Sequence, residues 1–235
     1  MPPAHRRIDG LIFDWGGVFS ISPTTGLQAL ERRLGWAEGA LFRLFAAAAA
    51  AAGDQPDASP RYLLETGRLA LDEFVETIAS HAPVVFGEEQ VDLAAFRAAF
   101  SSLEWLVEAG TNWEVVHRIR ELRHDGYRTG LLTNNVAEWS GAWRSTIPVE
   151  ELFDDVVDSS EVGMRKPDPA IYLLACERLG VAPERTVFLD DAERNVEGAR
   201  AVGMWGVVVG PDPHEALEQL DRILTEESRA GPAKP

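Results

Sequence analysis

Ile8-Asp9-Gly10-Leu11-Ile12-Phe13-Asp14-Trp15-Gly16-Gly17-Val18 is the stretch on which the fold turns. A short apolar run ends at a carboxylate and then at two glycines, the pattern of a buried strand stopped by a turn. The same event recurs downstream: Thr129 to Leu132 runs into Thr133-Asn134-Asn135, Val156-Val157 into Asp158-Ser159-Ser160, Thr186 to Leu189 into Asp190-Asp191, and Trp205 to Val209 into Gly210-Pro211. Helical patterns separate these runs. Trp113 to Arg123 places Trp113, Val116, Ile119 and Leu122 on one face, and Pro169 to Leu179 opens after Asp168 and closes at Gly180. Strand alternating with helix predicts an α/β protein, a doubly wound parallel sheet covered on both faces. Ligands of such sheets bind beyond the carboxyl ends of the strands, where the polar residues above fall.

Between Phe19 and about Thr111 the strand signal gives way to helical patterns at Leu27 to Leu34, Leu41 to Ala52, Leu71 to Ala79 and Leu93 to Leu106. This predicts an inserted helical cap domain, with boundaries at 1–19 and 112–225 for the core, 20–111 for the cap and 226–235 for a polar, frayed tail. Gly53 to Pro60 reads as a loop, and the alanine run Ala46 to Ala52 as ordinary helix, alanine being the best helix former.

With 235 residues and 46% hydrophobic content the chain can bury a full core. A formal charge of −16 opposes binding to nucleic acid or an anionic membrane, both of which need clustered Lys and Arg. The longest apolar stretch is too short and too alanine-rich to span a bilayer, and Met1 to Arg7 lacks the apolar segment of a signal peptide, so a cytoplasmic location is expected. Cys176, the single cysteine, excludes an internal disulfide and reads as a small buried hydrophobe. Oligomeric state is not legible.

Taken singly, the polar residues at the strand ends have ordinary readings: Asp14 as a turn residue, Thr133 and Asn134 as a loop or cap, Lys166 as a surface lysine, Asp190-Asp191 as a helix cap. Their joint placement at one sheet edge points elsewhere. Three carboxylates, Asp14, Asp190 and Asp191, suit a hard divalent ion bound through oxygen, magnesium above all. With the ion in place Asp14 can approach an anionic phosphate as nucleophile, and Thr133 and Lys166 can stabilise charge on the phosphoryl oxygens.

Leu11 to Val18, Leu131-Leu132-Thr133-Asn134, Arg165-Lys166-Pro167-Asp168-Pro169 and Val187 to Asp191 resemble, in order and spacing, the ordered motifs of the haloacid dehalogenase superfamily. The resemblance runs from about Ile8 to Val209, and the inserted helices sit where that superfamily places its type 1 cap. Glu65-Thr66-Gly67-Arg68-Leu69 with Phe74, and Asp190 through Ala199, are similar to the branch holding sugar-phosphate phosphatases and the N-terminal phosphatase domain of soluble epoxide hydrolases. The resemblance implies a Rossmann-like core and a magnesium-dependent phosphatase acting on a small phosphorylated metabolite. It makes Asp14 the nucleophile that forms an aspartyl-phosphate, Thr133 and Asn134 a phosphate-binding pair, and Lys166 the cation that neutralises the phosphoryl group and orients Asp14. It implies Asp191 as a direct magnesium ligand, Asp190 as one directly or through water, the carbonyl of Gly16 as another, and Asn195 as the residue that orders their loop.

One position departs from the pattern. Most phosphatases of the superfamily carry a second Asp two residues after the nucleophile as general acid and base, and here that position is Gly16. Dehalogenases of the superfamily usually carry tyrosine there and need no metal, so 2-haloacid dehalogenation stands as an alternative that the acidic doublet disfavours. A catalytically weak phospho-accepting or small-molecule-binding relic of the fold is the alternative of another class. Trp15 reads as a core residue first and a pocket wall second. Arg61, Tyr62 and Arg68 read as solvated helix positions first, and as contacts to the part of a substrate beyond its phosphate second.

Overall fold

The computed structural model describes residues 8–53, 55–87, 91–107 and 110–229. The expected N-terminal segment Met1 to Arg7 and Asp54 of the expected loop lie outside these residues, as do residues 230–235 of the expected tail. Five parallel strands, β1 (Gly10–Phe13), β2 (Arg128–Thr133), β3 (Asp155–Asp158), β4 (Thr186–Asp190) and β5 (Trp205–Val208), form one sheet in the order β3-β2-β1-β4-β5.

β1 lies at the centre with a neighbour on each edge and helices on both faces, which is why its residues are apolar without interruption. Side-chain alternation splits it between two cores. Leu11 and Phe13 join Leu131, Leu189 and Val207 beneath the helices Trp113–His124 and His214–Arg229, while Ile12 joins Leu132, Val157 and Phe188 beneath Pro169–Leu179 and Glu193–Ala201. The register pairs Phe13 with Leu131 and with Leu189, so the residues that follow, Asp14, Leu132 and Asp190, come level at one edge.

Three expectations are corrected. Trp113 is 52% exposed, and Val115 takes its place beside Val116, Ile119 and Leu122 on the buried face, because Trp113 opens the helix and points past the sheet. The expected helix from Leu93 to Leu106 is broken into Leu93–Ser102 and Glu104–Val107, where Leu103 adopts a left-handed backbone at φ 57°. The last helix continues to Arg229, past the boundary at 226, because the buried face of Ala216, Leu220 and Leu224 anchors it and no Gly or Pro lies between Glu226 and Arg229. Within the expected loop, Pro56–Ala58 forms a 3₁₀ turn and Ser59 caps a short helix, Pro60–Glu65.

Among the described residues the segment between β1 and β2 contains no strand. Its alanine-rich helix, Ala40–Ala51, lacks a side-chain cap of its own, and the buried Glu31 carboxylate accepts from the N–H groups of Gly39 (2.9 Å) and Leu41 (2.8 Å) instead. Those orphan donors at the positive end of the helix are what a buried carboxylate needs. The two crossings between this segment and the sheet lie side by side, the Asn112 N–H donating to the Phe19 carbonyl at 2.8 Å. Aromatic rings close the junction. Phe100 packs on Phe74, Trp105 and Trp139 at centroid distances of 5.8, 5.8 and 5.5 Å, and Trp139, which follows β2, donates through Nε1 to the Ser101 carbonyl.

Candidate active site

Strand geometry delivers the predicted residues to one place. Asp14 leaves β1 with its N–H donating to the Leu189 carbonyl at 2.8 Å, and its Oδ1 accepts from the Trp15 N–H at 2.8 Å. Lys166, fully buried, sets its Nζ 2.9 Å from Asp14 Oδ1 and 2.6 Å from Asp190 Oδ2, and donates to the Leu132 carbonyl at 2.8 Å. An ammonium has three N–H donors, and this arrangement uses all of them. Lys166 thus holds the Asp14 and Asp190 carboxylates toward one point.

Asp190 is saturated as well. Its carboxylate accepts from Lys166, from the Ala192 N–H at 2.8 Å and from Asn195 Nδ2 at 3.0 and 3.1 Å. Asn195 is itself held by Tyr172, whose hydroxyl donates to the Asn195 carbonyl at 2.7 Å. Asp191 is the open member of the doublet and lines a cavity of about 320 Å³ together with Asp14, Gly16, Thr133 and Asn134. Oxygens of Asp14, Asp190 and Asp191 lie within 4.8 Å of one another, a group of carboxylates that can hold a divalent metal.

The electrostatics ask for a cation. Burial, with the Asp190 and Asp191 charges added, pushes Asp14 up to about 8 in spite of Lys166, and burial beside Asp190 pushes Asp191 up to about 6. Burial opposes the charge on Lys166, but Asp14 and Asp190 outweigh it and hold its pKa above the ordinary lysine value. One lysine thus faces three acids, and the raised pKa values of Asp14 and Asp191 mark a place where a bound divalent ion would offset the excess negative charge. Gly17 is fitted to this arrangement. At φ 74° it favours glycine, and a Cβ there would stand 2.3 Å from the Asp191 carboxyl.

The Asn134 side chain has a task that the sequence reading did not foresee. Its Nδ2 donates to the Lys166 carbonyl at 3.0 Å and its Oδ1 accepts from the Lys166 N–H at 2.8 Å, clamping the lysine main chain. Trp15 fits both of its readings: it is 3% exposed, packs on Trp143 at 6.0 Å, donates to Thr146 Oγ1 at 3.1 Å, and also reaches the cavity wall. Arg61 lines the cavity. Tyr62 and Arg68 do not, Arg68 stacking over the Tyr62 ring at 5.0 Å instead. Cys176 is buried away from the site, and burial pushes its thiol pKa up, which keeps it unreactive.

Sequence reasoning missed the strap that joins the insertion to the loops at the carboxyl edge of the sheet. Glu65 pairs with Arg61 (2.7 Å) and with Arg165 (2.8 Å), the neighbour of Lys166, and the Ser159 hydroxyl donates to the Glu65 carbonyl while accepting from the Asn135 N–H at 3.0 Å. Gly67 lets the strap close, since a Cβ there would stand 2.4 Å from the Ser160 carbonyl oxygen. The similarity of the Glu65 to Leu69 turn to a known cap turn was the available signal, but nothing local says what Glu65 touches.

Glu65 is 7% exposed, and although burial opposes its charge, Arg61 and Arg165 outweigh burial and hold its pKa below the ordinary 4.5. Glu65→Gln is expected to cost roughly 1–3 kcal/mol at neutral pH, the half-exposed Arg61 softening the penalty of a broken buried pair. A depressed carboxylate pKa contributes stability that is present above about 4.5 and lost as pH falls through the lower folded value. Urea denaturation across pH should therefore show wild type and variant converging below pH 4.5, and a constant difference would rule out the ion pair as its source.

Comparison with known proteins agrees with this geometry. The chain is 29% identical over 230 residues to pig bifunctional epoxide hydrolase 2, covering 95% of this chain and 40% of that protein. It is 27% identical over 161 residues to validoxylamine A 7'-phosphate phosphatase of Streptomyces hygroscopicus subsp. limoneus, covering 68% of this chain and 73% of that one. The chain spans less than half the length of two of the curated relatives that it matches along nearly its whole length. A haloacid-dehalogenase-family enzyme of Bacteroides thetaiotaomicron, solved with magnesium and inorganic phosphate, has the same fold, with a TM-score of 0.58, 22% identity, and coverage of 87% of this chain and 96% of that one. The family model for haloacid dehalogenase-like hydrolases matches residues 8–203, and the chain belongs to that family of hydrolases.

Proposed function

We propose that the protein is a magnesium-dependent phosphatase of small phosphate monoesters that works through an aspartyl-phosphate on Asp14. The observation that carries this reading is Lys166 Nζ bridging Asp14 and Asp190 with Asp191 open beside them, an oriented nucleophile next to a divalent-cation site. The residues fit magnesium: Asp14, Asp191 and the Gly16 carbonyl are its proposed ligands, and the saturated Asp190 acts through water or by holding Lys166. Bound there, the ion supplies Lewis-acid neutralisation of charge between the acids and a phosphoryl group. Asp14 attacks phosphorus, the alcohol or phenol leaves, and water then hydrolyses the acyl phosphate, returning Asp14 and inorganic phosphate. Thr133 and the main-chain N–H groups of its loop bind the phosphoryl oxygens, Asn134 acting mainly by clamping Lys166. The segment 20–111 is the proposed cap over a core of 1–19 and 112–229, the core's end moved to the end of the last helix. No helix among the described residues is long and apolar enough to cross a membrane, and the protein's setting is proposed to be cytoplasmic.

Steady release of inorganic phosphate from a panel of sugar, aryl and acyl phosphates, dependent on magnesium and abolished by chelator, is the test. Chloride release from 2-haloacids in chelator would replace the reading with dehalogenation.

The leaving group should matter strongly. Among the described residues, apart from Asp14 and Asp191 the only acid lining the cavity is Glu65, which its arginines keep ionised, and no His, Lys, Tyr or Cys lines it. Leaving groups therefore depart without a dedicated general acid, assistance that is typically worth about 10² to 10⁴ in rate. Aryl phosphates are expected to turn over faster than alkyl ones by about that margin, and a flat leaving-group dependence with chemistry limiting would refute this. Restoring the missing acid with Gly16→Asp meets a tight fit, because a Cβ there stands 3.2 Å from Pro23 Cγ.

A further inference from the structure

We propose, building on the phosphatase reading, that the substrate carries a second anionic group, a carboxylate or another phosphate, held between Arg61 and Arg194. Both side chains line the cavity that contains Asp14 and Asp191, and both also line an adjoining cavity of about 290 Å³ to which Arg165 contributes a third guanidinium. Phe45 and Phe74 line both cavities, so the two spaces share an apolar wall.

The charge count is what singles this place out. In a chain of net charge −16, three guanidiniums gather around one buried carboxylate, Glu65, which is shared between Arg61 at 2.7 Å and Arg165 at 2.8 Å. Arg194 has no hydrogen bond or ion pair among the described residues, although it stands close enough to Glu65 and Arg165 to act on both electrostatically. Three like charges with one counter-ion repel one another in a partly desolvated cleft. A ligand anion would offset that repulsion, and the planar fork of arginine fits a carboxylate or phosphate better than any other side chain does. Arg61 is set by Glu65, so half of the subsite is pre-formed, and Arg194 completes it from the first turn of the helix Glu193–Ala201, which follows Asp191 in the chain. The apolar wall then accommodates a short carbon skeleton between the two anions.

Binding of matched alkyl phosphonates of increasing chain length, ending in methyl, carboxylate or a second phosphonate, tests this without relying on turnover. Calorimetry in the presence of magnesium is expected to show an anionic terminus binding about tenfold or more tightly than methyl at the best chain length. The carboxylate and phosphonate arms identify which anion is preferred. The preference should fall to about twofold or less in Arg194→Gln and weaken as salt is raised. Arg194 is exposed and makes no hydrogen bond among the described residues, so this variant is expected to fold, as circular dichroism would verify. Equal affinity for methyl and anionic termini at every length, no measurable binding of any anion-terminated phosphonate, or a preference that survives both Arg194→Gln and Arg61→Gln overturns the subsite. The two readings fail separately. Discrimination among phosphonates without hydrolysis of the matching phosphate esters sinks the phosphatase and keeps the subsite, and hydrolysis without discrimination does the reverse.

Discussion

Asp14→Asn is expected to abolish phosphate release, lowering turnover by at least about 10⁴-fold, while the protein remains folded. The amide keeps the size and shape of the carboxylate but cannot attack phosphorus, and loss of a nucleophile removes nearly the whole chemical contribution of the group that acts with it. Folding should survive because the wild-type carboxylate is costly where it stands, its pKa pushed up to about 8 by burial and by Asp190 and Asp191. A raised carboxylate pKa means that the folded state holds the proton more tightly than the unfolded chain, so stability is lost as pH rises from the ordinary value of 3.8 through about 8. In chelator, Asp14→Asn should thus gain on wild type over that window. Thermal melts with phosphate-release assays check both halves, and a variant that keeps substantial turnover would remove Asp14 from the chemistry.

Lys166→Met is expected to damage stability and activity together. The fully buried ammonium faces Asp14 at 2.9 Å and Asp190 at 2.6 Å, and methionine would leave two carboxylates with no counter-charge. Removing one partner of a buried pair typically costs about 3–5 kcal/mol, which for a chain of this size lowers Tm by about 6–20 °C. Proton uptake by Asp14 sets the upper limit on the cost, so the loss should be smaller in acid than at alkaline pH. Added magnesium should recover part of the lost Tm by supplying positive charge at the same oxygens. Turnover should fall by at least about 10²-fold, since the charge that orients Asp14 is gone. A variant that melts with wild type and gains nothing from magnesium would show that the lysine and the acids do not share one electrostatic site.

Much of this was legible along the chain because its causes are local. A run such as Leu11-Ile12-Phe13, apolar at every position, is what a strand covered on both faces requires, and all five strands were found within two residues of their ends. Asp168 and Gly180 fixed the ends of the helix Pro169–Leu179, since a capping carboxylate and a left-handed glycine act within one turn. Trp113 misled because periodicity names a face without saying whether its first residue reaches the sheet. The break at Leu103 has no Gly or Pro to announce it.

At the site, the residue types announced the chemistry, but the division of labour among them did not show. Nothing in Arg165-Lys166-Pro167 indicates that the Nζ donors are spent on Asp14, Asp190 and Leu132, or that Asn134 clamps the lysine backbone. Those are contacts across 24 to 152 residues of chain, selected by the packing of separate strands. The Glu65 to Arg165 strap, the aromatic wall and the presence of Arg61 and Arg194 in the lining of one cavity are of the same kind. Alternation, capping and turn chemistry, which depend on neighbours in sequence, determined the sheet, its carboxyl edge and the acids placed there. Which side chains are free to meet a ligand, and which are consumed in holding the others, was decided only by tertiary packing, because hydrogen-bond capacity is finite and is allotted by distance in space.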